Sequence, residues 1–407
     1  MGACRYRPRM DTAHVIGRRE LNRALLARQG LLVRRPGAAS GTVDHLVGVQ
    51  AQNVGSPYVA LWSRVEGFTH ADLGAALEGR TAARIAAMRG TIHLLGAADA
   101  LLLPGLVGDL FARDLTRNVA HRDALRAVDL AELTARARAL VEERPRVTTE
   151  LGALLAERWP EVPPTTLAYA ARGTLPLVQV PPRGVWGRSG ATTWTTATSW
   201  FGPELVGAAP DLADPDVRAA QLERLVLRYL AAFGPASVAD LQTWSGLTGL
   251  RTVVERLRPR LVTFRTAPGE GPARGRELVD LPDAPRPPAD VPAPARFLPD
   301  LDNALLSHAD RSRVVGEDAR TRLRSPNGVL PGTVLIDGTV GAVWSVARSR
   351  LGPREGARGT RELATLTVTP LRPTRPAALR EVVAEGERLV RFVADDADEH
   401  AVAVGPS

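Results

Sequence analysis

The chain has 407 residues, which is enough for about two to four domains that each bury a core. Its 52 basic residues exceed the 44 acidic ones and give a net charge of +8, a balance that suits a polyanionic partner such as DNA. A basic protein with no nucleic-acid role stays open on charge alone. The sequence has no lysine, so Schiff-base chemistry on lysine, a P-loop lysine and lysine-bound pyridoxal phosphate are excluded.

Cysteine and histidine usage narrows the class of protein further. The single cysteine, Cys4, excludes an intramolecular disulfide framework and a cysteine-based zinc site. The seven histidines are scattered and none is paired at metal-ligand spacing. No stretch approaches about eighteen uninterrupted apolar residues, so we expect no membrane span. We therefore predict a cytoplasmic protein with no metal site.

The first 120 residues predict several short helices that close on a strand. Apolar periodicity places helices over residues 14–30, 42–52, 57–65 and 72–77. The segment 87–95 has the composition of a strand. Short helices followed by a strand are typical of a winged-helix module.

The same pattern recurs twice. Helices over 130–143, 149–159 and 165–172 precede a strand at 178–180 and a Pro-Pro-Arg-Gly turn. In the third copy, a helix over 221–233 is followed by Ser237 and Asp240, which are spaced as an acidic capping box. Gly246 supplies a turn before a helix over 250–257 and a strand over 261–265, which is helix-turn-helix spacing.

The last third of the chain is predicted to be mainly β. Residues 268–294 indicate an irregular connection or an extended hairpin region. Asp337-Gly338 between alternating apolar residues predicts a hairpin. A strand over 363–369 and an amphipathic helix over 376–394 follow. The predicted fold class is α+β, with tandem winged-helix units over 13–120, 121–210 and 211–275 and a β-rich domain over 276–407.

Gln50-Ala51-Gln52 is the most informative tripeptide of the sequence. Glutamine does not titrate, so it cannot abstract a proton, but it can hold a water molecule by hydrogen bonds. Such a site suits reactions whose leaving group departs readily, for example the cationic base of an N-alkylated purine nucleotide. Residues i and i+2 lie about 200° apart on a helix, so both amides can address one substrate only if the helix ends there. The alternative is that both are ordinary capping and surface residues.

Two further pairs of residues are candidates for a site. Thr91 and His93 share a face of the predicted strand and could orient a phosphate or the attacking water. The alternative for His93 is a half-buried ring bonded to the backbone. Asp300 and Asp302 resemble a metal or acid/base pair, but carboxylates in this position more often cap the following helix.

Several arginines are candidates for contact with phosphates. Arg183 and Arg188 flank Trp186 in the predicted turn, although such a tryptophan can also be a core anchor. A later run is either a phosphate-contacting strip or a solvated face, and it consists of Arg311, Arg313, Arg320, Arg322 and Arg324.

Together these segments resemble the winged-helix DNA glycosylases of the AlkZ/YcaQ type. The resemblance rests on Gln50-Ala51-Gln52 with the following Ser-Pro-Tyr-Val-Ala-Leu-Trp, on Arg-Gly-Thr-Ile-His at 89–93, on Val-Trp-Gly-Arg-Ser-Gly at 185–190 and on Phe-Leu-Pro-Asp-Leu-Asp at 297–302. The match runs from about His14 to beyond Leu371. Each motif is short, but their order is specific.

The resemblance implies three tandem winged-helix units and a C-terminal β domain that form a concave scaffold for duplex DNA. It implies monofunctional hydrolysis of the N-glycosidic bond of N7-alkylated purines, including bulky genotoxin adducts and interstrand crosslinks, in repair or self-resistance. Gln50 and Gln52 would position the catalytic water, and the YcaQ branch has an aspartate in place of Gln52. Asn53, where many relatives have an acidic residue, is a departure from the pattern. No metal, cofactor or obligate protein partner is expected.

Two other functions remain open from the sequence. A non-enzymatic winged-helix DNA-binding protein or regulator would bind undamaged duplex as well as alkylated duplex. A drug-sequestering protein would bind the genotoxin without DNA.

Overall fold

The computed structural model describes residues 14–270, 275–323, 331–352 and 360–406. Cys4 and Arg324 lie outside these ranges. In chain order, the α-helices of the described residues are α1 (Arg18–Arg28), α2 (Ala39–His45), α3 (Ser56–Trp62), α4 (His70–Glu78), α5 (Ala97–Leu106), α6 (Gly108–Arg117), α7 (Arg122–Leu125), α8 (Leu130–Glu143), α9 (Thr148–Ala156), α10 (Pro164–Thr174), α11 (Ala197–Phe201), α12 (Pro203–Gly207), α13 (Pro215–Phe233), α14 (Val238–Ser245), α15 (Leu250–Leu257), α16 (Asn303–Leu306), α17 (Glu317–Arg322) and α18 (Pro376–Val393).

The strands belong to three sheets, and short 3-10 turns lie at Met88–Gly90, Arg258–Arg260 and Arg311–Arg313. The strands are β1 (His14–Ile16), β2 (Val49–Gln50), β3 (Ala82–Ala86), β4 (Ile92–Gly96), β5 (Arg146–Val147), β6 (Leu177–Gln179), β7 (Thr193–Thr196), β8 (Val262–Thr266), β9 (Glu277–Asp280), β10 (Arg296–Leu298), β11 (Gly332–Ile336), β12 (Thr339–Leu351), β13 (Arg361–Pro370) and β14 (Glu399–Val404).

A six-stranded sheet contains the region of the Gln50-Ala51-Gln52 motif. Its strand order is β2-β4-β3-β6-β7-β5, and its pairs are antiparallel. Strands β2 to β4 come from residues 13–120, whereas β5 to β7 come from 121–210. The first two predicted units therefore contribute to one sheet. The mixed helical and β character of the fold is as predicted, while the division of the chain into four units stays a prediction.

The start of the chain differs from the predicted helix over 14–30. His14–Ile16 forms β1, which pairs in parallel with β8 of the three-stranded sheet β1-β8-β9. Helix α1 begins only after Gly17, whose backbone is extended and whose N–H donates to Glu20 Oε2 at 2.8 Å. The predicted helix was wrong at this end because a partner strand about 250 residues away decides the local conformation.

The third predicted unit matches the described elements closely. Ser237 Oγ accepts a hydrogen bond from the Asp240 N–H at 3.2 Å, and Asp240 Oδ2 accepts one from the Ser237 N–H at 2.8 Å. This is the predicted capping box at the start of α14. Gly246 ends that helix in the left-handed conformation (φ 79°). Helix α15 has the predicted bounds, and β9 adds an antiparallel strand within residues 268–294.

The C-terminal part is a five-stranded sheet with helix α18 packed on it. Its strand order is β10-β11-β12-β13-β14, and the last pair is parallel. Asp337 and Gly338 form the predicted turn between β11 and β12, with φ of 48° and 81°. Val382 and Leu389 of α18 share a buried cluster with Phe297 and Leu366 of the sheet. Strands β10 and β14 were not predicted.

Buried arginine–aspartate pairs connect distant parts of the chain. Arg28 of α1 donates to both carboxylate oxygens of Asp280 at 2.7 and 2.8 Å, and both side chains are fully buried. Removing one partner of such a pair leaves an uncompensated buried charge, which costs about 3–5 kcal/mol. In the described ranges, no helix has the length and apolar character needed to span a membrane.

His308 makes the free energy of unfolding depend on pH. Its ring is buried, with Nε2 3.0 Å from the Phe233 carbonyl oxygen. Burial and the nearby Arg313 guanidinium hold the pKa of His308 well below its ordinary value of 6.5, against the opposing effect of Asp240. The unfolded chain therefore binds a proton below about pH 6.5 that the folded chain does not bind. This contribution to stability is complete above that pH and is lost as pH falls.

We expect His308→Gln to reduce the pH dependence of unfolding between pH 7 and 5. Wild-type protein should lose up to about 1.4 kcal/mol per pH unit from this residue, and the variant should not. Urea unfolding of both proteins at several pH values measures the difference. Equal pH slopes for the two proteins would contradict the assignment.

Candidate active site

The Gln50-Ala51-Gln52 motif lies at one edge of the six-stranded sheet. The predicted helix over 42–52 is wrong, because α2 ends at His45 and Val47 and Gly48 adopt left-handed conformations (φ 54° and 94°). A Cβ atom at position 48 would lie 2.3 Å from Leu95 Cδ2, so only glycine fits this turn. The turn leads into β2, and the two glutamines are therefore not on opposite sides of a helix.

Both glutamine carboxamides bind the same short segment, residues 89–92. Gln50 lies opposite His93 in the β2–β4 pair. Its Oε1 accepts a hydrogen bond from Arg89 Nη2 at 2.7 Å. Gln52 Oε1 accepts one from the Ile92 N–H at 3.3 Å. Gln50 is only 5% exposed, whereas Gln52 lies at the surface, so the two amides differ in their access to solvent.

Arg89 fixes the inner glutamine. It has a left-handed backbone (φ 56°, ψ 13°), which is costly for a residue other than glycine. Its Nη1 donates to the Trp244 carbonyl oxygen at 2.6 Å. Burial, and then the nearby Arg311, lower the pKa of Arg89 to about 10, so it stays protonated at neutral pH. Within the described ranges no carboxylate pairs with Arg89, and its charge is shared by neutral acceptors.

The His93 ring is buried within the protein and contacts Arg89 and the backbone of Thr91. The ring is completely buried, with Nδ1 3.0 Å from the Thr91 carbonyl oxygen and Nε2 3.5 Å from Arg89 Nη2. Burial, and then Arg89, lower the pKa of His93 to about 3, so the imidazole is neutral at physiological pH. The ring is inaccessible and lies against a backbone carbonyl, which matches the alternative interpretation of His93 as a backbone-bonded histidine, and its role in supporting the site stays a prediction. Thr91 is half-buried, and its hydroxyl donates to the Met88 carbonyl oxygen at 3.2 Å.

The predicted turn around Arg183 lies beside the motif. Buried Arg84 of β3 donates from Nη2 to the carbonyl oxygen of Ala51, between the two glutamines, at 2.8 Å. Gly184 (φ 98°) packs on Arg84, and a Cβ there would lie 2.9 Å from Arg84 Cδ. Burial, and then Arg183, lower the pKa of Arg84 to about 10. Arg183 donates to the Gly190 carbonyl oxygen at 3.1 Å and has no carboxylate partner in the described part of the chain.

The remaining predicted arginines differ in accessibility. Arg188 is exposed and forms an ion pair with Glu78 at 2.6 Å. Arg311 is exposed and lies close enough to Arg89 to lower its pKa. Arg313 is 5% exposed and donates to the Pro235 carbonyl oxygen at 2.9 Å, so its side chain is buried in the protein and not presented to a phosphate. The predicted strip is thus interrupted, with Arg320 and Arg322 exposed on α17.

The two aspartates at 300 and 302 have different roles. Asp302 caps α16 through the Ala304 N–H at 2.8 Å and pairs with buried Arg64 at 2.7 Å, which confirms the capping interpretation for this residue. Asp300 does not cap the helix. Its carboxylate accepts hydrogen bonds from Asn53 Nδ2 and Ser56 Oγ. The amide at position 53 therefore places a carboxylate next to the motif in space.

Two adjoining cavities open beside this cluster, with volumes of about 400 and 620 Å³. They share Gly55, Trp186, Arg348 and Val393. Asn53 lines the smaller cavity and Val54 the larger one. In the described ranges, no group of three or more histidine, cysteine or acidic side chains is placed to hold a metal ion.

Sequence reasoning missed Arg84, Arg89 and the position of Asp300. Arg89 was noticed only as part of a segment, since no local pattern shows that its side chain reaches a glutamine 39 positions away. The hydrogen bonds of Asp300 span 244 and 247 positions. The one signal in the sequence was Asn53, which stands where many relatives have an acidic residue.

Comparison with known proteins gives a family and a fold. A protein-family model described as "DNA glycosylase AlkZ-like" matches residues 43–392. The solved structure of Streptomyces sahachiroi DNA glycosylase AlkZ is similar, with a TM-score of 0.74 and 20% sequence identity over 96% of this chain and 100% of that chain. No curated protein sequence matches the chain.

The family model covers most of the chain, including β2, β3 and β4, the turn that carries Arg89, and both glutamines. The chain therefore belongs to the AlkZ-like DNA glycosylase family and is a DNA N-glycosylase.

Proposed function

We propose that the chain is a monofunctional glycosylase that hydrolyses the N-glycosidic bond of N7-alkylated purines in duplex DNA. The observation that carries this proposal is the attachment of both glutamine side chains to residues 89–92 by their carboxamide oxygens. The two amides have no titratable proton near neutral pH and can only position water. An N7-alkylated purine is already cationic and leaves without protonation, so positioned water is sufficient.

The proposed reaction is a displacement at the sugar carbon C1′. A water molecule held by Gln50 and Gln52 forms a bond to C1′ while the bond from C1′ to the purine nitrogen breaks. The electron pair of that bond goes to the purine ring and neutralises its positive charge, and the attacking water gives a proton to solvent. The chain has no lysine for a Schiff-base lyase step, so the product is a free base and an abasic site in an intact strand.

We infer that the duplex binds along tandem winged helices arranged as a concave scaffold. Arg183 and Arg311 support this placement of the duplex, because both lie near the motif without a carboxylate partner in the described part of the chain. Such arginines suit phosphate oxygens, which fix the register of a protein on DNA. Arg188 can also bind a phosphate in place of Glu78, since an exposed ion pair contributes only about 0–1 kcal/mol to stability.

We propose bulky genotoxin adducts and interstrand crosslinks as the specific substrates. Their removal would serve DNA repair or self-resistance in the cytoplasm. The cavity of about 620 Å³ beside Val54 supports this choice, because it gives space for a large substituent next to the motif. Family membership sets aside a pure regulator and a drug-sequestering protein. No obligate protein partner is proposed.

Loss of both glutamine side chains tests the proposed positioning of water. We expect the double variant Gln50→Ala, Gln52→Ala to release N7-methylguanine from duplex DNA at least about a hundredfold more slowly than wild type. Gln242→Ala on α14 is the matched control and should keep the wild-type rate. Single-turnover base release, with a separate assay for strand integrity, measures both properties. Base release at the wild-type rate in the double variant would remove the proposed roles of the glutamines.

Single substitutions separate the role of Arg89 from that of Arg311. Arg89 acts through Gln50 and is a positioning residue, so Arg89→Met should lower the maximal single-turnover rate about tenfold or more. The enzyme concentration at half-maximal rate should change little. Arg311→Met should raise the enzyme concentration at half-maximal rate and leave the maximal rate nearly unchanged, because it removes an exposed cation that we place on a phosphate. It should also reduce the salt dependence of DNA binding.

Arg89→Lys should restore part of the rate, since lysine can still donate to Gln50 with one of its hydrogens. If Arg89→Met changed only the half-saturating concentration, Arg89 would be a DNA-contacting residue and the positioning role would be wrong.

A further inference from the structure

Asp300 has no cationic partner in the described part of the chain, although the protein contains 52 arginines. Its hydrogen bonds come from the neutral groups of Asn53 and Ser56. Among the residues that the structure describes, no arginine or histidine lies within ion-pair distance of it. The buried aspartates nearby in sequence or fold behave differently, since Asp302 pairs with Arg64 and Asp280 with Arg28. Arg348 also lines this cavity of about 400 Å³, but its guanidinium is paired with Glu362 and Asp396. Of the two charged side chains that line the cavity in the described residues, Asp300 is therefore the one without an ion pair.

One wall of this cavity is the indole ring of Trp344. Its Nε1 donates to the Leu298 carbonyl oxygen at 2.8 Å. Phe297 packs edge-on against it, with ring centres 6.1 Å apart. A Cβ atom on Gly332 would lie 2.6 Å from the ring, so glycine is needed for this close packing. Trp344 is thus held in one orientation before any ligand arrives.

A second wall is Trp186, which is fixed just as firmly. Its Nε1 donates to Asp395 Oδ1 at 2.9 Å, and its backbone N–H donates to the Tyr58 hydroxyl oxygen at 2.9 Å. The ring stacks on His70 with centres 4.1 Å apart and an interplanar angle of 10°. One face of the indole is therefore covered, and the remaining surface contributes to the cavity.

Two fixed indoles and an unpaired carboxylate recognise a flat, positively charged ring. Indole surfaces attract cations through the negative potential of their faces, and the carboxylate adds a direct charge interaction. The volume of about 400 Å³ lies within the range of small-molecule sites, about 300–1,000 Å³. Asn53, which immediately follows Gln52, lines the cavity and places it next to the motif.

We propose that the cavity bounded by Trp186, Trp344 and Asp300 binds the positively charged ring of the N7-alkylated purine. The proposal rests on the substrate class of the proposed function. It gives a reason for discrimination, because an unmodified purine has the same shape without the charge. It also favours product release, since breaking the glycosidic bond makes the ring neutral and weakens its attraction to Asp300.

The test compares binding of 7-methylguanosine and guanosine to the full chain by equilibrium dialysis below neutral pH, where the methylated ring is positively charged. Wild-type protein should bind 7-methylguanosine about tenfold more tightly than guanosine. Asp300→Asn keeps acceptor and shape but removes the charge, so the preference should fall about threefold or more, and the two indoles account for what remains. Asp283→Asn, which removes an exposed carboxylate from a loop, is the matched control and should keep the preference.

A second variant tests the aromatic wall. Trp344→Leu keeps the charge of Asp300 but removes the indole, and it should weaken binding of 7-methylguanosine about threefold or more. Equal binding of the two nucleosides to wild type, binding of neither, or a preference that Asp300→Asn leaves unchanged would overturn the proposal.

Base release from N7-methylguanine duplex, measured on the same preparations, separates this proposal from the proposed function. Wild-type release together with equal nucleoside binding removes the cavity assignment and leaves the glycosylase mechanism. A nucleoside preference that depends on Asp300, without base release by wild type, supports the cavity and removes the proposed reaction.

Discussion

The hydrogen bond from Arg89 to the carboxamide of Gln50 is the contact on which the proposed site depends. It joins the largely buried guanidinium of Arg89 to a neutral acceptor, and no carboxylate in the described residues forms an ion pair with that guanidinium. Its second bond, to the Trp244 carbonyl oxygen, ties the six-stranded sheet to helix α14. A glutamine that must orient water needs a fixed amide plane, and a planar guanidinium bound at both ends supplies this fixation.

The same use of arginine extends from the site into the scaffold. Arg84 holds the peptide between the two glutamines, and Arg64 holds the segment that carries Asp300. These side chains act through bonds to carbonyl and carboxylate oxygens that are distant in sequence. The turn at Gly184 can pack on Arg84 only because position 184 has no Cβ. Buried arginine donors thus connect the Arg183 turn, the motif and the segment of Asp300, and the DNA contacts that we propose fall to solvent-accessible arginines such as Arg183 and Arg311.

Local patterns in the sequence predicted much of the fold. Helices α8 and α15, the capping box at Ser237 and the hairpin at Asp337-Gly338 depend on residues close together in the chain, and all were predicted correctly. The order of short motifs gave the family, which the family model confirms. The helix predicted over 42–52 failed because the left-handed turn at Val47-Gly48 overrides apolar periodicity. Strand β1 was missed because it exists only through its pairing with β8.

Less of the candidate site than of the fold could be predicted from the sequence. Arg311 and Arg313 are two positions apart and look equivalent in sequence, yet one is exposed and the other is buried against Pro235. The roles of Arg89 and Asp300 depend on contacts across tens to hundreds of positions, which no spacing rule encodes. Gln50 and Gln52 were singled out from the sequence and the resemblance gave them a role, but their attachment to a common segment required the structure.

The most direct test of the central claim is a crystal structure of the chain bound to duplex DNA with a cationic sugar mimic at the lesion position. The account predicts one water molecule within hydrogen-bond distance of both the Gln50 and Gln52 amides and beside the mimic, with the Arg89 bond to Gln50 retained. A mimic bound at another face of the protein, or a water held by neither amide, would contradict it.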